Sequence, residues 1–156
     1  MKYALCFLLS LVVGPGYGSP IQDNAAYVNI QKAFPDSVKV FTDRKGAYFE
    51  FCPDNTCDLL ATSRTTIPQE TLLDLGYLYL YYFSDYGVLA RWRKQKLSAS
   101  LAESLLEKNE YSSCRGTSGN EQARCVLRRA ATQYGIGLYF VRYDESKRHV
   151  EKVKLP

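Results

Sequence analysis

The chain is poor in the residues that most enzymes use for proton transfer and metal binding. Its 156 residues include one histidine, one tryptophan and one methionine. The lone histidine, His149, lies in the charged run Lys147-Arg148-His149-Val150-Glu151-Lys152 and is expected on an exposed strand. A Ser-His-Asp or Cys-His nucleophile would have to use it. There is no Gly-x-Ser-x-Gly elbow, no phosphate-binding Walker loop and no dinucleotide fingerprint. Zinc requires closer ligand pairs, and a redox Cys-x-x-Cys is missing because Pro53 to Thr56 separate Cys52 from Cys57. No cofactor or metal is expected. The net charge of +4 is too small to argue for nucleic acid.

Long apolar runs are also scarce, and the one at the start is short. Lys2 supplies a positive charge, Tyr3 to Val13 are almost continuously apolar, and Gly14-Pro15-Gly16 breaks any helix. Gly16 and Gly18 fit the small positions before a signal-peptidase cut. A run of about eleven residues falls short of the roughly twenty needed to cross a bilayer. Residues 1–18 therefore read as a secretory signal cleaved after Gly18, and 19–156 as one globular domain. A lipid anchor fits less well, because Cys6 precedes most of the apolar run. Gly76 to Phe83, the next most apolar stretch, is short and rich in Tyr, so no transmembrane segment is expected in the mature chain. The expected location is secreted or periplasmic.

Removing the signal turns five cysteines into four: Cys52, Cys57, Cys114 and Cys125. An even number in an exported chain reads as two disulfides. Of the three pairings, Cys52–Cys57 and Cys114–Cys125 are favoured, because each brackets a turn-rich stretch. Each closure stabilises by about 2–3 kcal/mol in the chain-entropy treatment. A long-range pairing would contribute more, so energy alone does not decide.

Periodicity predicts α+β. Ala25 to Ala33 reads as a helix stopped by Pro35, and Val38–Thr42 with Ala47–Phe51 as a hairpin about Asp43-Arg44-Lys45-Gly46. A third strand is expected near Leu59–Ser63. Thr66-Ile67-Pro68-Gln69 fits a capping box, followed by a long helix from about Pro68 to Gln95. The rival is a strand at Tyr77–Tyr81, since Tyr favours strands and Gly76 weakens a helix. A second capping box, Ser100 to Glu103, opens another helix. A further one starts at Ser118 or Asn120 and ends at Gly135. Ile136–Tyr143 and His149–Leu155 form a second hairpin. The expected architecture is an antiparallel sheet of two hairpins with three to four helices on one side, stapled by two disulfides.

What the chain has in abundance is tyrosine, 13 in all. Tyr79, Tyr82 and Tyr86 are followed by Arg91, Trp92 and Arg93, types that dominate interface hot spots. The plain alternative is a buried helix whose cationic last turn suits the helix dipole. Carboxylate chemistry is the other open course: Glu70, Asp74 and Asp85 lie on or near the long helix, and a glycosidase needs two acids across a cleft. By elimination, the expected role is non-enzymatic binding of another protein, for example as an inhibitor or immunity-type neutraliser of a secreted toxin or enzyme. The alternatives are a small secreted hydrolase of cell-wall glycan or RNA using carboxylates and Arg, and a purely structural envelope protein.

Overall fold

The computed structural model describes residues 25–63, 66–87, 89, 91, 105–106 and 109–156. The signal, the box at Ser100 to Glu103, Trp92 and Arg93 lie outside the described residues. The chain runs α1 (Ala25–Ala33), β1 (Val38–Thr42), β2 (Ala47–Phe51), β3 (Thr56–Thr62), α2 (Gln69–Phe83), a 3-10 turn (Asn109–Cys114), α3 (Gly119–Tyr134), β4 (Ile136–Asp144) and β5 (Lys147–Val153).

All five strands join one antiparallel sheet in sequence order, β1-β2-β3-β4-β5. The two expected hairpins are β1–β2 and β4–β5, and β3 unites them by pairing with β2 on one side and β4 on the other. The first turn is built by Asp43. Its Oδ1 accepts from the amides of Lys45 and Gly46 at 2.7 and 3.1 Å and from the Tyr48 hydroxyl at 3.2 Å. Gly46 has no room for a side chain, since a Cβ there would lie 1.8 Å from the Thr62 carbonyl oxygen. The second turn is closed by Asp54, whose Oδ1 accepts from the Thr56 amide and hydroxyl at 2.7 and 2.6 Å. The Cys52–Cys57 disulfide clamps its two strands.

α1 ends where expected. The Phe34 amide closes the last turn on the Ile30 carbonyl at 3.0 Å, and Asp36, just past Pro35, takes a left-handed φ of 63°. α2 is shorter than the expected Pro68–Gln95 helix and is a helix rather than the rival strand. Ser84 is extended, with φ −67° and ψ 142°, and the Tyr86 amide donates to its Oγ at 3.4 Å. This local hydroxyl–backbone bond competes with helix continuation and explains the break. The chain is helical again at Gly87 and Leu89. The expected capping box at the start of α2 does not form: Pro68 itself is the cap residue and no side chain caps the end. α3 does end at Gly135, in the left-handed conformation with its amide bonded to the Ala131 carbonyl.

Strand alternation places Ala47, Phe49 and Phe51 of β2, with Leu60 of β3 and Leu138 of β4, under the helices as one core. α2 presses so close that a Cβ on Gly76 would sit 2.3 Å from the Phe49 ring. α3 packs beside α2 through Ala123, Val126, Leu127 and Ala130. The Cys114–Cys125 disulfide ties the 3-10 turn to α3. Two disulfides in the expected local pairing and an α+β fold with helices on one sheet face are thus both present. Among the described residues no helix is long and apolar enough to cross a membrane.

Candidate functional site

The aromatic stretch that stands out in the sequence is mostly interior. Tyr79 and Tyr82 are each 7% exposed and belong to the core. Tyr86 is half-buried: it packs edge-on against Phe51 at 5.1 Å, lies 3.3 Å from the Thr56 hydroxyl, and burial pushes its phenol up to about 12. Arg91 is exposed. The four described members of the six-residue set Tyr79, Tyr82, Tyr86, Arg91, Trp92 and Arg93 therefore do not form one protruding patch. The physical reason is that α2 is enclosed by the sheet beneath it and α3 beside it, so that Leu72 through Tyr82 are buried nearly all round.

The surface lies elsewhere, on the face of the sheet that carries no helix among the described residues. Register puts Lys39 and Phe41 of β1, Tyr48 and Glu50 of β2, and Leu59 and Ala61 of β3 on that face. Gly137, Tyr139 and Tyr143 of β4 and Val150 and Lys152 of β5 continue it. A second, small apolar cluster of Cys57, Leu59 and Val141 forms its floor, and Tyr48, Tyr139 and Cys52 pack on it. The Cys52–Cys57 disulfide is part of this floor, so it supports the surface as well as the turn. Phe41 stacks on Tyr48 with centroids 4.9 Å apart and planes at 20°. Phe41, Tyr143 and Val150 stay exposed, at 40%, 43% and 52%.

A cavity of about 580 Å³ opens in this face, with Tyr48, Leu59, Ala61, Gly137, Tyr139 and Val150 in its wall and Lys45, Lys152 and Lys154 among its edge residues. The opposed pair Ala61 and Gly137 leaves the depression. Gly137 also accommodates Tyr139, whose ring would lie 3.0 Å from a Cβ there. The result is an apolar, ring-walled hollow with a cationic rim.

The acidic candidates separate. Glu70 is exposed in the first turn of α2, and Asp74 is fully buried. Asp85 is exposed and lies beside Asp58, an acid that sequence reasoning did not single out. Asp58 is 8% exposed and stands in β3 between Phe51 of β2 and Phe140 of β4. Burial, and then the charge of Asp85, raises its carboxyl to about 6. The pair shares a cavity of about 180 Å³ with Thr56, Tyr79, Tyr86 and Phe140. The apolar alternation of β3 carried one signal for it: Asp58 interrupts a strand that is otherwise apolar from Cys57 to Ala61.

His149 is exposed on β5, as expected, beside Arg148 and Glu151. Ligand atoms of Glu50, Cys52 and Cys57 lie within 4.8 Å of one another, but both sulfurs are joined in the disulfide and offer no thiolate. No protein-family model, curated protein or solved structure matches the chain.

Proposed function

We propose that this chain is an exported, non-enzymatic binding protein that holds another protein on the uncovered face of its sheet, acting as an inhibitor or immunity-type neutraliser of a secreted toxin or enzyme. The observation that carries the reading is the 580 Å³ hollow walled by Tyr48 and Tyr139 and edged by Lys45 and Lys152. Rigid aromatic walls over an apolar floor suit an anchor side chain from a partner, and tyrosine is a favoured hot-spot residue. The cationic edge suits an acidic rim on that partner, which would steer association and fix register. Two local disulfides and an extended five-stranded sheet give the rigidity such a surface needs.

The test is affinity capture from envelope extract, with the captured protein identified and its binding remeasured with purified components. Tyr139→Ala and Tyr48→Ala should each weaken binding by roughly 2 kcal/mol or more, about thirtyfold. Both side chains are partly exposed, so the fold should survive. Lys45→Glu with Lys152→Glu should slow association more than it speeds dissociation. Unchanged affinity in folded Tyr48 and Tyr139 variants would end the proposal.

One observation favours the hydrolase reading: Asp58, its carboxyl raised to about 6 by burial, stands beside the exposed Asp85. It ranks second because a glycan or RNA unit needs a cleft nearer the roughly 300 Å³ at which sites for drug-sized ligands begin, and this cavity measures about 180 Å³.

A further inference from the structure

Asp58 faces the helix side of the sheet, opposite Tyr48 and Tyr139, so its cavity is separate from the hollow described above and does not depend on that reading. More than nine-tenths of Asp58 is buried, yet among the described residues its carboxylate accepts no hydrogen bond. Its oxygens are not sealed in but reach the cavity, so an occupant there can pair with them. Asp58 lines the cavity together with Asp85, Thr56 and the aromatic residues Tyr79, Tyr86 and Phe140. Among the described residues no cationic side chain lines the cavity. Two negative groups set among aromatic faces select a positive occupant, since ring faces attract cations as well.

The chemistry narrows the occupant further. Hard metal ions take six or more oxygen ligands drawn close around them, whereas three of the six lining residues, Tyr79, Tyr86 and Phe140, are aromatic. A quaternary ammonium satisfies ring faces but donates no hydrogen bond, and so leaves Asp58 unpaired. A primary ammonium brings three N–H donors on an alkyl stem that fits between rings. We propose that the Asp58–Asp85 cavity is a binding site for a primary alkylammonium group, supplied either by a free amine or by a lysine side chain of a partner. The cation supplies the donors that Asp58 lacks and relieves its repulsion with Asp85, and the opening beside exposed Asp85 is the route of entry.

The test uses the purified, disulfide-bonded protein at constant ionic strength and pH 8, followed by amide NMR shifts. The probes are n-butylammonium, tetramethylammonium, butan-1-ol and an acetylated, amidated lysine. Butylammonium should shift the amides of Thr56, Asp58 and Phe140 saturably, and bind at least about tenfold more tightly than tetramethylammonium, the worth of a charge-assisted hydrogen bond. Butan-1-ol should not bind. Asp58→Asn should weaken butylammonium roughly tenfold or more, and Asp85→Asn, at an exposed position, should weaken it several-fold without touching the fold. Lysine binding as tightly as butylammonium supports a free-amine or side-chain source alike, and tighter binding by lysine points to a partner's side chain. Tetramethylammonium binding as well as butylammonium, shifts confined to other residues, or affinity unchanged in both variants would each overturn the proposal.

Discussion

Removing the charge at Asp58 should stabilise the protein, and the size of the gain should depend on pH. The carboxyl is raised from 3.8 to about 6, first by burial between Phe51 and Phe140 and second by Asp85. That difference corresponds to roughly 3 kcal/mol between the ionised and neutral forms. Because the folded value lies above the unfolded one, the folded state binds more protons between about pH 4 and pH 6, and this group's contribution to stability falls as pH rises through that window. Above about pH 6 the ionised carboxylate is fully destabilising, and below about pH 4 the effect is gone. Asp58→Asn has its own cost from burying an amide, but that cost does not change with pH. The difference in stability between variant and parent should therefore be about 3 kcal/mol more favourable to the variant at pH 8 than at pH 4. Urea unfolding of both proteins at pH 8, 6 and 4 measures it directly. A pH-independent difference, or one favouring the variant more at pH 4, would refute the account of Asp58 as a desolvated acid.

Gly76→Ala sets two effects against each other. Alanine raises helix propensity by about 1 kcal/mol, but its Cβ would sit 2.3 Å from the fully buried Phe49 ring, and overpacking a core costs typically about 1–3 kcal/mol. The melting temperature should fall, and a rise would show that α2 can lift from β2 without loss. Replacing both cysteines of either disulfide by alanine should cost about 2–3 kcal/mol in denaturant unfolding, somewhat more for Cys114–Cys125 because its residues are 11 apart in sequence rather than 5. Equal stability of the cysteine-free and parent proteins would remove the staples from the account of the fold.

The elements legible in the sequence are those set by neighbours within a few residues. The β1–β2 turn needed only Asp43 and Gly46, and the end of α3 only Gly135. The disulfide partners lie within one turn-rich loop each. Strand alternation in β2 and β4 showed which residues share a face. What alternation could not show is which face the helices cover, because Tyr and Phe occur on both.

That choice belongs to the tertiary structure, and it moved the candidate site. Tyr79 and Tyr82 have the composition of a recognition surface but lie where α2 meets the sheet and α3, so their rings became interior. Tyr48 and Tyr139, isolated in their own strands, came together over one floor only because β3 joins the two hairpins. Asp58 of β3 and Asp85, just past the end of α2, meet at one cavity once α2 is packed over β1 and β2. Local sequence thus determined the elements, the turns and the staples, since these depend on backbone preferences and short loops. Only the packing of the layers decided which tyrosines face solvent and which acids meet, because both depend on contacts between residues far apart in the chain.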